Sequence, residues 1–317
     1  MPTESRCFSF EIPHEEVKGP LNLIETVLSG QTAEPEWLRD DVSFTNVEML
    51  SGIPVKYTVT QIGNKSKASL RVRGITANSS NDISADLKSR VSRTLGLHDD
   101  LNSFYNEFAD DEVLSLTFKN LRGLRLMRGA NLFEGLICSI LSQNNSVRLW
   151  NRSARLMMKH YGQKVIFPDG SQEFIFPRPE ALANVNPRSL RSNTSMGYRA
   201  KPVVTISRLV VNGDLNLRKV KTLPYEDAVD LLLELPGVGP KVADCFLLYG
   251  AECLEAAPVD IWIHRIVSKL YFGGKKVSRL TTARFLRERF QNWAGYAQLY
   301  LFDYARTGKI PRFASVS

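Results

Sequence analysis

The first hundred residues alternate between apolar and polar positions in the way that half-exposed β-strands do. Val55–Ile62 has a period of two, Gly63–Lys65 supplies a turn, and Ala68–Arg73 alternates again. This arrangement predicts a β-hairpin with one solvated face, and Phe44–Met49 is predicted to be a neighbouring strand. Apolar residues at helical spacing then predict a helix over Asp82–Leu95. The pattern therefore indicates an N-terminal antiparallel β-sheet domain.

From Leu97 onward the apolar spacing changes to the 3.6-residue period of helices. Helices are predicted over Leu101–Phe108, Asn131–Leu141, Val147–His160, Pro187–Met196, Lys201–Asn212, Tyr225–Glu234, Trp262–Tyr271, Ala283–Trp293 and Tyr296–Thr307. Ile166–Pro179 contains Pro and Phe and is interpreted as a connector. We therefore predict an α+β protein, with a sheet domain at residues 1–97 followed by an all-helical region at residues 98–317.

Charge is distributed unevenly along the 317 residues. Residues 1–118 contain 11 Lys and Arg against 18 Asp and Glu, a net charge of −7, whereas the remaining residues contain 30 against 15, a net charge of +15. A basic C-terminal portion fits the binding of a polyanion such as nucleic acid. The alternative is a basic protein with no role in nucleic-acid binding.

Several classes of protein are disfavoured by composition. No apolar run approaches the length of a membrane span, and Met1–Phe10 lacks the core of a signal peptide, so we expect a protein of the cytoplasm or nucleus. The four cysteines form no C-x-x-C pair and no run that would hold an iron–sulfur cluster, and the four histidines show no ligand spacing. We expect no required cofactor and no metal site built from side chains.

The segment Leu235–Cys245, with the sequence LPGVGPKVADC, carries the most chemical information in the chain. Pro-Gly-Val-Gly can make a tight hairpin between two helices, because glycine accepts positive φ and leaves backbone N–H groups accessible. Gly237, Val238 and Gly239 would then form a phosphate site at a helix N-terminus. Lys241 follows in the first turn of the second helix.

Asp260 comes 19 residues after Lys241, in the sequence Pro258-Val259-Asp260. A phosphate clamp, an amine and a carboxylate within thirty residues indicate chemistry on a nucleic-acid backbone. The hairpin alone is also found in modules that bind DNA without catalysing a reaction, where a lysine at this position contacts phosphate. Asp260 would serve equally as the N-cap of the helix that follows it.

At these motifs the chain resembles the helix-hairpin-helix (HhH-GPD) DNA glycosylase superfamily, and within it the eukaryotic-type 8-oxoguanine DNA glycosylase/lyases. The resemblance spans most of the chain and is strongest at residues 131–152, 196–200, 230–265 and 291–303. It implies an active site in a cleft between helical subdomains, with the helix-hairpin-helix at about 225–250. Lys241 would be the nucleophile that attacks the sugar C1′ and forms a Schiff base, and Asp260 would stabilise the positive charge that develops on the sugar.

The resemblance also implies a pocket for an extruded damaged base. Gly30 would accept, through its backbone carbonyl, the N–H that 8-oxoguanine has and guanine lacks. Gln298 would hydrogen-bond the base edge, Phe302 would stack on the base, and Cys245 would pack against it. Taken alone, Cys245 and Phe302 would be interpreted as core residues.

Two further segments match the parts of the family that act on the rest of the duplex. Gln143 and Asn144 interrupt an apolar helix and would enter the gap left by the extruded base. Tyr198 would wedge the base stack, and Arg199 and Arg148 would bind the orphaned cytosine with planar guanidinium groups.

Two positions depart from the family pattern, and one site remains optional. Trp262 stands where a phosphate-contacting histidine is expected, and Ala305 stands where an aspartate is expected, although Asp303 is close by. By similarity, the backbone carbonyls of Leu233, Leu235 and Val238 would bind a monovalent cation or Ca²⁺ when DNA is present.

These inferences predict a monomeric bifunctional DNA glycosylase/lyase that excises 8-oxoguanine opposite cytosine from double-stranded DNA in base excision repair. One alternative is a glycosylase for another damaged base, such as an alkylated purine, although an enzyme without lyase chemistry would not need Lys241. The other is a non-catalytic DNA-binding module, in which Lys241, Asp260 and the distant base-pocket residues would have no reason to co-occur.

Overall fold

The computed structural model describes residues 6–77, 79 and 81–307. Its N-terminal part is a five-stranded antiparallel sheet with the strand order β1-β5-β4-β3-β2. The strands are β1 (Cys7–Ile12), β2 (Leu38–Asp40), β3 (Ser43–Leu50), β4 (Ile53–Ile62) and β5 (Ser69–Thr76). The predicted hairpin is the β4–β5 pair, in which alternate side chains are buried as the period of two requires.

One short helix, α1 (Leu23–Leu28), lies between β1 and β2 and was not evident from periodicity. The Asn22 side chain caps it by accepting a hydrogen bond from the Glu25 amide at 3.3 Å. The helix ends at Leu28, and its C-cap, Ser29, directly precedes Gly30. This helix therefore places the loop that contains Gly30, called the Gly30 loop below, next to the helical part of the protein.

The rest of the chain is mainly helical. The helices are α2 (Ser84–Thr94), α3 (Leu101–Glu107), α4 (Leu114–Leu121), α5 (Leu132–Leu141), α6 (Val147–Tyr161), α7 (Pro179–Ala183), α8 (Pro187–Thr194), α9 (Ala200–Asn212), α10 (Leu217–Thr222), α11 (Tyr225–Leu233), α12 (Pro240–Cys245), α13 (Ile261–Tyr271), α14 (Arg279–Phe290) and α15 (Ala294–Arg306). A π-helical turn, Phe246–Gly250, continues α12. The predicted α+β class is confirmed, whereas the domain boundary after residue 97 stays a prediction.

The helical region is not all-helical, because the expected connector folds into a second hairpin. Strands β6 (Gln163–Ile166) and β7 (Gln172–Ile175) pair antiparallel. Their turn contains Pro-Asp-Gly, in which Asp169 accepts a hydrogen bond from the Ser171 amide at 3.0 Å. Val165, Phe167 and Ile175 form a small apolar cluster with Ala77. The hairpin therefore covers apolar side chains beside the large sheet, and this burial stabilises strands rather than a loop.

A single large apolar core joins the sheet to the helices. Helix α5 runs through it with every side chain from Phe133 to Leu141 buried, and it contacts α12 and the π-helical turn. Burial on all sides explains why this helix is apolar around its circumference. Its C-terminal end brings Ser142 and the polar residues after it to the helix-hairpin-helix.

Candidate active site

A cleft of about 550 Å³ contains both Lys241 and Asp260. Its walls come from the Gly30 loop, the segment after α5, and the first turns of α12, α13 and α14. The lining residues are Gly30, Thr32, Ser142, Gln143, Asn144, Asn145, Val147, Trp150, Gly239, Pro240, Lys241, Val242, Asp244, Val259, Asp260, Ile261, Trp262, Arg279, Leu280 and Ala283. Residues that are more than two hundred positions apart in sequence therefore share one cavity.

The Lys241 amine is held by a hydrogen bond that the sequence did not predict. Its Nζ donates to Ser142 Oγ at 2.8 Å. The Ser142 hydroxyl in turn donates to the Ser139 carbonyl at 2.8 Å, so its proton is directed away from the amine. Ser142 is thereby oriented as an acceptor for Lys241. Its only signal in the sequence is its position, at the end of an apolar helix and immediately before the polar run Gln143–Asn145.

Asp260 is fixed at the start of α13. Its Oδ1 accepts a hydrogen bond from the Ile263 amide at 2.8 Å, which makes it the N-cap of this helix. The same residue lines the cleft with Lys241. Capping and a role in the cleft are therefore compatible, because the cap bond fixes the orientation of the side chain of a residue that lines the cavity.

The helix-hairpin-helix has the geometry that its glycines predict. Gly237 has φ of +79°, and a Cβ there would lie 2.7 Å from Pro202. Gly239 is the N-cap of α12, and no heavy atom lies within 4 Å of the place where its Cβ would be. The open space at Gly239 leaves the α12 amides accessible to an anion. Gln143 Nε2 donates to the Gly237 carbonyl at 3.4 Å and ties the neighbouring loop to the hairpin.

Cys245 lies one helical turn after Lys241 and is buried. Burial raises the pKa of its thiol, and the nearby charge of Lys241 partly opposes this shift. The two residues stand four positions apart on α12, so their side chains lie on the same face of the helix. The buried thiol is therefore suited to packing rather than to nucleophilic attack.

Gly30 stands at the cleft with φ of +78°. A Cβ at this position would lie 2.8 Å from a methyl carbon of Val147, so any other residue would meet both backbone strain and a steric clash. The loop therefore requires glycine at position 30, and its backbone comes close to α6.

Gln298 and Phe302 lie one turn apart on α15 but do not line this cleft. Gln298 is buried, and its Oε1 receives no hydrogen bond from any residue in the described ranges. Phe302 is half-buried against the core. An amide oxygen held without a partner costs free energy in the absence of a ligand.

Four of the five residues predicted for the wedge and the opposite base form a cluster beside the cleft. Tyr198 Oη donates to Gln143 Oε1 at 3.1 Å, and Asn144 Nδ2 donates to Tyr198 Oη at 3.3 Å. Arg199 Nε donates to the Gln143 carbonyl at 3.0 Å, and Arg199 Nη2 donates to the carbonyl of Asn144 at 3.2 Å. The Arg199 guanidinium also lies over the Tyr198 ring, 4.6 Å from its centroid. Arg148 is exposed on α6 and outside this cluster.

The two departures from the family pattern have clear places in the structure. Trp262 is half-exposed in the first turn of α13, at the mouth of the cleft, near the exposed Leu280. Ala305 packs against the core, and Asp303 is fully buried and paired with Arg306 at 2.6 Å. The cleft mouth is therefore more apolar than a histidine at position 262 would make it.

The described part of the chain offers neither a side-chain metal site nor a membrane-spanning helix. Residues 6–77, 79 and 81–307 contain no group of three or more His, Cys, Asp or Glu side chains placed to hold a metal ion. At the predicted cation site, the Leu235 carbonyl accepts a hydrogen bond from the Val238 amide at 3.1 Å. No helix within these ranges is long and apolar enough to cross a membrane.

Comparison with known proteins identifies the family. Residues 137–292 match the model of the HhH-GPD superfamily base excision DNA repair proteins. A probable N-glycosylase/DNA lyase of Methanothermobacter thermautotrophicus is 34% identical over 307 residues, covering 91% of this chain and 94% of the relative. The chain belongs to the HhH-GPD superfamily.

Solved structures of this superfamily share the whole architecture. MBOgg1, in complex with a low-affinity DNA ligand, has a TM-score of 0.81 at 27% identity, with 97% of this chain and 100% of that chain covered. The Clostridium acetobutylicum 8-oxoguanine glycosylase/lyase, in complex with double-stranded DNA that contains cytosine opposite 8-oxoguanine, has a TM-score of 0.77 at 26% identity, covering 92% and 94% of the two chains. The predicted family and the enzyme class, a DNA N-glycosylase with lyase activity, are confirmed.

Proposed function

We propose that this enzyme excises 8-oxoguanine opposite cytosine from double-stranded DNA and then cleaves the strand at the resulting site. The observation that carries this proposal is the shared cleft of Lys241, Asp260 and Gly30, an amine, a carboxylate and a side-chain-free backbone segment in one cavity. The substrate named for the similar Clostridium enzyme, 8-oxoguanine opposite cytosine, is in keeping with it, as is the DNA ligand of the similar MBOgg1.

Lys241 is proposed as the nucleophile. Its deprotonated amine attacks C1′ of the extruded nucleotide, and the C1′–N9 bond breaks with its electron pair leaving on the base, which takes up a proton. The sugar ring then opens as its ring oxygen gains a proton, and a Schiff base joins Nζ to C1′. Ser142 holds the amine at 2.8 Å before attack, so that the nucleophile is positioned when the sugar arrives.

Asp260 is proposed to stabilise the positive charge that grows on the sugar as the base leaves. A carboxylate locked by a cap bond needs no reorientation during the reaction, which makes its electrostatic effect larger. Strand cleavage follows from the Schiff base, because loss of a C2′ proton expels the 3′ phosphate and leaves the C3′–O bond broken. Hydrolysis of the imine frees Lys241.

Base selection is proposed to depend on two elements. The Gly30 carbonyl would accept the N7–H of 8-oxoguanine, whereas unmodified guanine would place its N7 acceptor against that oxygen. From α15, Gln298 would hydrogen-bond the base and Phe302 would stack on it, and Cys245 would pack against it. The partnerless Oε1 of Gln298 supports this role, because a base would supply the missing donor.

The loop after α5 and the Tyr198–Arg199 pair are proposed to stabilise the distorted duplex. Gln143 and Asn144 would fill the gap in the stack, Tyr198 would wedge it, and Arg199 with Arg148 would read the orphaned cytosine. Gly237, Val238 and Gly239 would bind a backbone phosphate at the α12 N-terminus. The Leu233, Leu235 and Val238 carbonyls would add a cation at this hairpin when DNA is bound.

A panel of duplexes tests the proposed substrate. Single-turnover excision would be measured on duplexes carrying 8-oxoguanine, an N-alkylated purine or undamaged guanine opposite cytosine, with Lys241→Gln as the inactive control. We expect excision of 8-oxoguanine alone, and none by Lys241→Gln, which should retain binding to the damaged duplex. Faster release of the alkylated purine would favour the alternative glycosylase, and binding without any excision would favour a non-catalytic module.

A further inference from the structure

The last two turns of α15 carry a buried ion pair directly beside the proposed base-reading residues. Asp303 follows Phe302 in sequence and is fully buried, and its Oδ1 accepts hydrogen bonds from Arg306 Nη2 at 2.6 Å and Arg306 Nε at 3.2 Å. The partially exposed guanidinium then extends off the helix. Arg306 Nη2 also donates to the Leu28 carbonyl at 3.1 Å. The pair therefore links α15 to the backbone two residues before Gly30.

A second anchor holds the other side of the Gly30 loop. The Gln31 side chain donates to Ser29 Oγ and to the Arg125 carbonyl, both at 2.9 Å, and accepts from the Met127 amide at 2.7 Å. Gly30 stands between the two anchors with positive φ and no space for a Cβ. The position of its carbonyl is therefore set by what holds Leu28 and Gln31.

Burying the Asp303 carboxylate costs free energy, and its hydrogen bonds with Arg306 offset part of that cost. Its Oδ2 receives no hydrogen bond from any group in the described ranges. Burial, and to a lesser extent the Glu25 carboxyl of α1, raises the pKa of Asp303 to about 6, while Arg306 opposes this shift. Asp303 thus holds Arg306 through Oδ1, and Arg306 in turn reaches the backbone at the end of α1.

We propose that Asp303 and Arg306 are positioning residues that set the gap between the Gly30 carbonyl and the base-reading pair Gln298 and Phe302. The bridge joins the two elements that would contact the base from opposite sides, so its length fixes how a base fits between them. This assignment rests on the proposed function of the site. It gives α15 a role in selecting the base beyond the contacts of Gln298 and Phe302.

Two substrates separate base selection from general stability. One duplex carries 8-oxoguanine opposite cytosine, and the other carries a preformed abasic site, which has no base for Gly30 and Gln298 to hold. Asp303→Asn and Arg306→Gln are compared with Asp111→Asn. Asp111 is a matched control, because it is also a buried carboxylate paired with an arginine, Arg289, at 2.6 Å, and does not line the cleft.

We expect Asp303→Asn and Arg306→Gln to lower single-turnover excision of 8-oxoguanine by about 10- to 100-fold, the effect of misplacing a base by a fraction of an ångström to one ångström. Cleavage of the abasic duplex should change little in both variants, and Asp111→Asn should affect the two reactions equally. Arg306 is on the surface, so Arg306→Gln should fold, and its excision rate can still be measured if Asp303→Asn does not fold.

Three results would overturn the assignment. Parallel losses on both duplexes would make the ion pair a purely structural feature, and unchanged excision in both variants would remove any role for it. A wild-type protein that cleaves the abasic duplex but leaves 8-oxoguanine in place would refute the proposed substrate itself, which distinguishes that failure from failure of the positioning role.

Discussion

At the scale of single residues, the site depends on side chains whose neighbours fix their orientation. Lys241 is recognisable from its motif, but the hydroxyl that holds it is not, because Ser142 becomes its neighbour only when α5 packs against α12. Asp260 could be predicted both as a cap and as a site residue, and the structure shows that one carboxylate oxygen caps α13 while the residue lines the cleft.

Removing the Ser142 hydroxyl should slow the first chemical step. In Ser142→Ala the Lys241 amine loses the acceptor that holds it at 2.8 Å, and we expect the single-turnover excision rate to fall by about tenfold, equivalent to one good hydrogen bond. Ser207→Ala is the matched control, since Ser207 is a buried serine on α9 whose hydroxyl donates to the Val203 carbonyl and which does not line the cleft. Equal rates for wild type and Ser142→Ala would exclude a positioning role for this hydroxyl.

A cluster of buried glutamates should make stability depend on pH. Burial, then the charge of Glu48, raises the pKa of Glu34 from 4.5 to about 8, while a hydrogen bond from Trp37 acts in the opposite direction. The folded protein therefore holds a proton that the unfolded chain releases above pH 4.5. The stabilisation that this proton provides is complete below pH 4.5 and is lost progressively as the pH rises to about 8.

We expect Glu34→Gln to weaken this pH dependence, because a neutral amide can accept the Trp37 hydrogen bond without a proton. Urea unfolding between pH 5 and 8 should show a free energy of unfolding that declines less steeply in the variant than in wild type. Glu288→Gln, on the exposed face of α14, provides the control for a simple change in net charge. Indistinguishable slopes for wild type and Glu34→Gln would contradict this account of the cluster.

At the scale of elements, local patterns predicted most helices and the central hairpin, but they failed where burial decides the outcome. The alternation in β4 and β5 and the apolar spacing of α6, α9 and α13 are strong local signals. Strands β6 and β7 are short, and the Pro-Asp-Gly turn between them is their one local sequence signal of a hairpin. Helix α1 has six residues, too few for a period to be visible, and it forms because Asn22 caps it and the core covers it.

The Gln143–Asn144 loop and the Tyr198–Arg199 segment act together as one element in the structure. Arg199 donates to the carbonyls of Gln143 and Asn144, so in this state it braces the loop that is proposed to enter the duplex. Reading a cytosine would require the guanidinium to exchange some of these bonds for contacts with the base. The sequence could indicate both segments but not their contact.

Arg199→Ala should relax the choice of the opposite base. The ratio of excision rates with cytosine and with adenine opposite the lesion is expected to fall by about tenfold, the value of one good base contact. Arg208→Ala is a matched control, because Arg208 also donates to a backbone carbonyl, that of Ala183, outside the cleft. An unchanged ratio in Arg199→Ala would remove cytosine reading from this residue.

At the scale of the whole molecule, the fold brings together residues that no local pattern could relate. Gly30 lies in the N-terminal part of the chain that forms the sheet. Lys241 belongs to the helix-hairpin-helix and Asp260 to the start of α13, while Ser142 follows the core helix α5. The identities of Gly30, Lys241 and Asp260 were predictable from motifs and resemblance, whereas that of Ser142 was not. Their shared cavity, and the bridge from Asp303 to the Gly30 loop, depend on long-range packing that a single sequence does not encode in any local signal.

Borohydride trapping tests the central claim most directly. Wild-type protein is incubated with an 8-oxoguanine·cytosine duplex and borohydride, which reduces the Schiff base to a stable bond, and the modified peptide is located by mass spectrometry. We predict one adduct, on Lys241, and none with Lys241→Gln. An adduct on another residue, or excision by wild-type protein with no adduct at all, would contradict the assignment of Lys241 as the nucleophile.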